Sequence, residues 1–296
     1  MIERKTKSSP RNRDNRPAWP MAIPKQTRAK SGVAKLPSAK LWYWDTGGKG
    51  EPIVLVHPAS GSGLIWGYQQ PFFAKAGYRV IGYSRRGFYK SSPIDAKNTG
   101  IGSQDLHELI EFLGIDKFHI LGSAAGGSVV ADYAVSHPER LLSMTISSNS
   151  AGVGSGPIAE VADRIRPHEQ WHHLPRWFRE LGPSYRAANP KGTKLWIDLE
   201  TRGSAGESAR QKQANKITAK TLEKLRVPTL MMSGDSDFST PPDLLRMVAR
   251  HIRGSEVTIV PESGHSLYWE RPDIFNPTVL DFIRRHPAKK AAKRKR

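Results

Sequence analysis

Residues 118–135, FHILGSAAGGSVVADYAV, leave the chain little conformational choice. Phe118 to Leu121 read as a buried strand, Gly122 to Gly127 as a turn of small residues, and the remainder as a helix running to about Val135. Gly122 and Gly126 stand two residues either side of position 124, and Gly127 extends the run. That is the spacing of a nucleophile elbow, G-x-S-x-G, in which strand and helix pack too closely for side chains at the flanking positions. The centre here is Ala124, and a methyl group cannot attack a carbonyl. Ser123 sits one residue early, where its side chain points away from the apex. Taken alone, the segment is better explained as a tight strand–helix joint, because loose G-x-x-x-G matches are common.

Three further segments bear on that choice. EPIVLVHPASGSG carries an apolar run, Ile53 to Val56, that stops at His57-Pro58-Ala59-Ser60-Gly61. VPTLMMSGDSDFSTPPD reads as a strand from Thr229 to Ser233 followed by G-x-x-D, with carboxylates at Asp235 and Asp237. An Asx turn, or a cap ahead of the helix at Pro241-Pro242, accounts for Asp235 as well as any catalytic role does. VTIVPESGHSLYWERPD reads as a last strand, then Ser263-Gly264-His265, then a helix that begins at Pro272. A fourth stretch, RVIGYSRRGFYKSS, predicts a strand from Val80 to Tyr83 and a turn from Arg85 to Ser91.

In this order, and over about residues 40 to 285, the set resembles the α/β-hydrolase fold family. The resemblance implies an α/β fold with a mostly parallel eight-stranded sheet flanked by helices and an inserted helical cap. It also implies the site: Ala124 at the nucleophile position, where Ser is expected, Asp237 as the acid that orients the base, and His265 as the base, with Asp235 as the fallback acid. The oxyanion hole would take its N–H groups from Ala59, after the strand ending at Val56, and from Ala125, after the nucleophile position. Pro58 departs from the family's Gly in the first loop and narrows its dihedral freedom. Ser84 and Tyr89 depart from the family's D-x-R-G-x-G-x-S stretch, which is expected to carry no chemistry.

The implied domain organisation is a basic, flexible N-terminal extension over 1–40, a core over 41–149 and 226–286, a helical cap over 150–225 and a basic tail over 287–296. Within the cap, Trp171, Leu174, Trp177, Phe178, Leu181, Trp196, Ile197 and Leu199 recur at mostly helical spacing interrupted by Gly and Pro, which predicts two or three short helices. Most of these aromatics are expected to pack on the core. His57, Ser60, Trp171, Trp177 and Arg176 are the candidate pocket residues. Arg164, Arg166, Arg176, Arg179 and Arg186 are expected mainly to face water, although one turned inward would suit a substrate carboxylate.

Composition excludes other chemistries. The chain has no Cys, so thiolate catalysis, cysteine-based zinc sites and disulfides are ruled out. No G-x-x-x-x-G-K-[ST] or G-x-G-x-x-G occurs, and no cofactor is expected. His168, His172 and His173 lack carboxylates at ligand spacing, so a metal is not expected either. The formal net charge of +19 lies mostly in residues 1–40 and 281–296, so the catalytic surface is not basic and nucleic acid is not the expected partner. No apolar run approaches the roughly 18 residues that span a bilayer, and the N-terminus lacks an apolar signal segment. A cytoplasmic protein acting on a small-molecule ester is the expectation, with oligomeric state left open.

The implied activity is hydrolysis of a small carboxylic ester of apolar or aromatic character, including a carboxylate-bearing monoester. Lactonase or C–C bond hydrolase chemistry on the same scaffold is the alternative. Two accounts of Ala124 stand beside each other. One is a Ser-to-Ala replacement that traps substrate in an otherwise intact enzyme, favoured by the retained acid, base and glycines; the other is a natural non-catalytic ligand-binding descendant.

Overall fold

The computed structural model describes residues 21–165, 171, 173–203 and 210–288. His168, His172, Arg166 and the two chain ends lie outside the described residues. One sheet of eight strands runs in the order β1-β2-β4-β3-β5-β6-β7-β8. Its strands are β1 (Lys30–Lys35), β2 (Lys40–Asp45), β3 (Pro52–Val56), β4 (Arg79–Tyr83), β5 (Phe118–Ser123), β6 (Leu141–Ser147), β7 (Thr229–Gly234) and β8 (Glu256–Val260). From β4 across to β8 every pairing is parallel, while β1 and β2 add an antiparallel edge.

The helices are α1 (Gln69–Lys75), α2 (Gly102–Phe112), α3 (Ala125–Ser136), α4 (Pro157–Ile165), α5 (Arg176–Glu180), α6 (Pro183–Ala188), α7 (Pro190–Gly203), α8 (Ala219–Glu223), α9 (Pro242–Ala249), α10 (Leu267–Glu270) and α11 (Pro272–Arg284). Strand alternation divides the core into two layers. Val54, Val56, Ile81, Ile120 and Met144 face one cluster with residues of α2, α3 and α9, whereas Ile53, Leu55, Val80 and Leu121 face another with residues of α1, α10 and α11. Burial on both faces is why the central strands read as unbroken apolar runs.

Two expected boundaries move. The extension over 1–40 was expected to be flexible, yet β1 lies inside it, with Lys30 to Lys35 in register against Asp45 to Lys40 of β2. Only Ala34 of β1 is fully buried, so pairing to β2 and not its own hydrophobicity orders this strand, and its sequence gives little sign of it. The stretch 150–225 is likewise not one cap. Ile158 and Ala162 of α4 and Leu222 of α8 join the α2/α3/α9 layer, while Leu181, Tyr185 and Trp196 of α5–α7 and their connections join the other. A short helix, α10, also precedes the expected one at Pro272.

Residues 210–218 are tied to the core through Asp132 of α3, which is 1% exposed. Its carboxylate accepts from Ala214 N at 2.8 Å, Asn215 N at 3.0 Å, Asn215 Nδ2 at 2.9 Å and Ser103 Oγ at 2.5 Å. Among the described residues, no helix is long and apolar enough to cross a membrane. Asp132→Ala removes the acceptor of these four bonds, and the expected cost of about 3 kcal/mol is checked by the urea midpoint at unchanged m-value.

Candidate active site

The elbow forms where β5 ends and α3 begins. Ala124 is held at φ 47° and ψ −120°, a region that costs a non-glycine residue on the order of 1–3 kcal/mol. Its N–H donates to Ser147 O at 2.9 Å and its carbonyl accepts from Gly127 N at 2.8 Å. The flanking glycines are there for space. A Cβ on Gly122 would lie 2.5 Å from Gly126 O, and one on Gly126 would lie 2.8 Å from His57 O. The helix thus starts directly against the end of β3, and the Ala125 N–H, first in α3, has no partner within its helix. Ser123 is the last residue of β5 and fully buried, so its hydroxyl is in no position to act as the nucleophile.

The acid and base meet from two loops. Asp237, after β7, and His265, after β8, are both buried, and His265 Nδ1 lies 2.9 Å from each oxygen of the Asp237 carboxylate. Asp237 Oδ1 also accepts from Ser239 N at 2.8 Å and Thr240 N at 2.9 Å. Burial pushes the Asp237 carboxyl up, but the His265 charge, its hydrogen bond and the two N–H donors together hold it below its ordinary value. For His265, burial pulls the imidazole down and is outweighed by Asp237, Glu180 and Glu270, which raise it to about 9. Of the two carboxylates after β7, Asp237 is the one that meets His265. Asp235 instead accepts from Glu262 N at 3.1 Å and Ser263 N at 3.4 Å, steadying the loop that leads to His265.

The first loop is fixed by His57. Its Nδ1 donates to Pro58 O at 2.7 Å, which leaves Nε2 to accept from Arg85 N at 2.9 Å. Burial, with the Arg85 charge added, holds this imidazole well below its ordinary value and keeps it neutral. Both ring nitrogens are thus spent on the protein, so His57 shapes the loop and offers no polar atom to a pocket. Ser60 Oγ donates to Glu180, and Ala59 O accepts from Arg176 Nη1 at 3.1 Å. Arg176 also pairs with Glu200 at 3.3 Å. Trp171 stands edge-on to Phe238 at 6.0 Å, beside the acid loop, and Trp177 is half-buried against the core.

Two acidic residues at this site were invisible to motif spacing. Glu270 is fully buried, and its carboxylate accepts from Gly264 N at 3.0 Å, Gly182 N at 2.7 Å and Ser266 N at 3.2 Å. Burial raises it to about 8 against the pull of those donors. Its one sequence signal is a carboxylate within the otherwise apolar turn after Gly264-His265. Glu180 gave none, since an acid in a helix with two arginines reads as surface charge.

The sequence model of the Alpha/beta hydrolase family matches residues 53–278. Among curated proteins, the chain is 28% identical over 280 residues to a 2-hydroxy-6-oxononadienedioate/2-hydroxy-6-oxononatrienedioate hydrolase of Paraburkholderia xenovorans, covering 88% of this chain and 94% of that protein. It is 25% identical over 260 residues to a non-heme chloroperoxidase, so named only putatively, of Synechocystis, covering 81% and 94%. Among solved structures, an esterase of Thermogutta terrifontis with malate bound superposes at TM-score 0.70 with 22% identity, over 88% of this chain and all of that one.

The raised His265 value carries a stability consequence. A base whose value in the folded state lies above its ordinary 6.5 contributes fully below that pH and loses the contribution as pH rises through about 9. Asp237→Asn removes the largest source of that rise, and the His265 resonance followed by NMR is expected to titrate about two units lower. Urea stability of the variant between pH 6.5 and 9 is expected to be correspondingly flatter.

Proposed function

Because this chain belongs to the alpha/beta hydrolase family, we propose that its site is built for hydrolysis of a small carboxylic ester by Ser–His–Asp chemistry, with Ala124 standing in place of the serine. The observation that carries this reading is the conjunction of the His265–Asp237 pair with the elbow dihedrals of Ala124. A residue free to relax would leave φ 47°, so the packing around it keeps the backbone set to present a side chain at that apex. With a hydroxyl at position 124, His265 takes its proton as the oxygen attacks the ester carbonyl. The Ala59 and Ala125 N–H groups receive the developing oxyanion, the alcohol leaves with the proton from His265, and water repeats the sequence to free the acid. Without the hydroxyl the chain binds ester and turns it over at a rate lowered on the order of 10⁶.

For the acyl group, Arg179 is the cation of interest. Its guanidinium stacks 5.9 Å over Trp171, its Nε is buried without a hydrogen-bond partner among the described residues, and burial holds its value down. An aromatic ring and an unsatisfied guanidinium side by side support a monoester carrying both an apolar face and a carboxylate. The curated relatives named as hydrolases of 2-hydroxy-6-oxo acids favour a second reading, cleavage of a C–C bond next to a carbonyl by the same pair.

Ala124→Ser is expected to raise esterase activity on chromogenic acyl esters by several orders of magnitude, and His265→Ala to abolish the gain. Activity of the Ser form is expected to climb with pH toward a limb near 9, since only neutral imidazole accepts the proton. No gain in the Ser form with esters, and turnover instead of a vinylogous 1,5-diketone acid, establishes the C–C reading; no gain with either establishes a ligand-binding protein. Arg179→Gln is expected to raise KM about tenfold for carboxylate-bearing esters and to leave uncharged esters unaffected.

A further inference from the structure

Helix α5 is five residues long and has no stability of its own, so contacts outside it decide where it sits. Arg176 and Glu180, at its two ends, are four residues apart and share a face. Both reach the loop after β3: Arg176 donates to Ala59 O and Ser60 Oγ donates to Glu180. Glu180 reaches the base loop as well. Its carbonyl accepts from Ser266 N at 3.0 Å, and its carboxylate lies 3.5 Å from Ser266 Oγ, next in sequence to His265. One residue from the segment between β6 and β7 therefore touches both loops that serve the elbow.

We propose that Glu180 is a second carboxylate acting on His265, a positioning residue that stabilises the imidazolium and couples the seating of α5 to the state of the base. The charged groups around the ring are Asp237 from the loop after β7, Glu180 from α5 and Glu270 from α10; around Glu180 they are His265, Arg176 and Arg179. Asp237 holds Nδ1, so Glu180 acts on the ring through space and through Ser266. Burial raises the Glu180 carboxyl above its ordinary value, against the opposing pull of His265, the Ser60 hydroxyl and the two arginines. A carboxylate near an imidazole favours its charged form. During ester hydrolysis the same charge would stabilise the imidazolium that forms as the nucleophile loses its proton, and lifting α5 away would return the ring toward neutrality. Only this kinetic consequence rests on the hydrolase reading.

The test uses the chain as it stands. With His side chains labelled with ¹⁵N, the His265 resonance is titrated in the Ala124 protein and in Glu180→Gln. The expected result is a fall of about one unit in the variant, and an unchanged titration overturns the proposal. Should Glu180→Gln fail to fold, ¹³C-carboxyl titration of the unaltered protein serves instead: Glu180 and His265 are expected to titrate as a coupled pair, and independent single-site curves overturn the proposal. In the Ala124→Ser background, Glu180→Gln is expected to move the rising limb of the kcat/KM pH profile to lower pH with the resonance, which a merely structural role would not do. An inactive Ser form with a shifted titration refutes the hydrolase reading and supports the role of Glu180. An active Ser form whose titration does not shift does the reverse.

Discussion

The approach of the first turn of α3 to the end of β3 is the constraint on which the site depends. Backbone meets backbone there, with Gly126 so near His57 O that any Cβ would clash. That contact obliges Ala124 to turn through a strained conformation to bring the chain from strand to helix. The cost of the strain, on the order of 1–3 kcal/mol, is offset by burial of the strand and helix on both sides. The strained dihedrals of Ala124 are thereby maintained by the packing around it.

Around this fixed point the catalytic loops are held by carboxylates. Asp237 takes the ring of His265, Asp235 takes the N–H groups of Glu262 and Ser263, and Glu270 gathers those of Gly264, Ser266 and Gly182. Loops after parallel strands carry many backbone donors with no ladder to join, and a buried carboxylate satisfies several at once. The same arrangement concentrates negative charge near one imidazole, which is why its proton is held so firmly. Structural duty and electrostatic tuning are performed by the same groups, and removing either affects both.

Legibility in the sequence follows the range of the interaction that decides each feature. Strands β3, β4, β5, β7 and β8, the elbow glycines and the pairing of Asp237 with His265 were readable because each rests on a local pattern or on motif order. Strand β1 was not, since its order comes from register against β2 and only Ala34 of it is fully buried. The stretch 150–225 read as one cap, but α4 and α8 are claimed by the layer of α2, α3 and α9, an allegiance set by which sheet face they meet. Trp196, one of the aromatics recurring at helical spacing in that stretch, is wholly core, while Arg176 is engaged by Ala59 O and Glu200.

From its sequence alone the chain determined strands buried on both faces of a mostly parallel sheet and a tight elbow after β5 with Ala124 at its apex, because apolar runs and glycine spacing dictate these through contacts between near neighbours. Tertiary structure alone decided which carboxylates surround His265. Glu180 and Glu270 come to the ring from helices 85 residues before it and five after it, and motif spacing marked neither, since through-space charge depends on where helices pack and leaves no spacing along the chain.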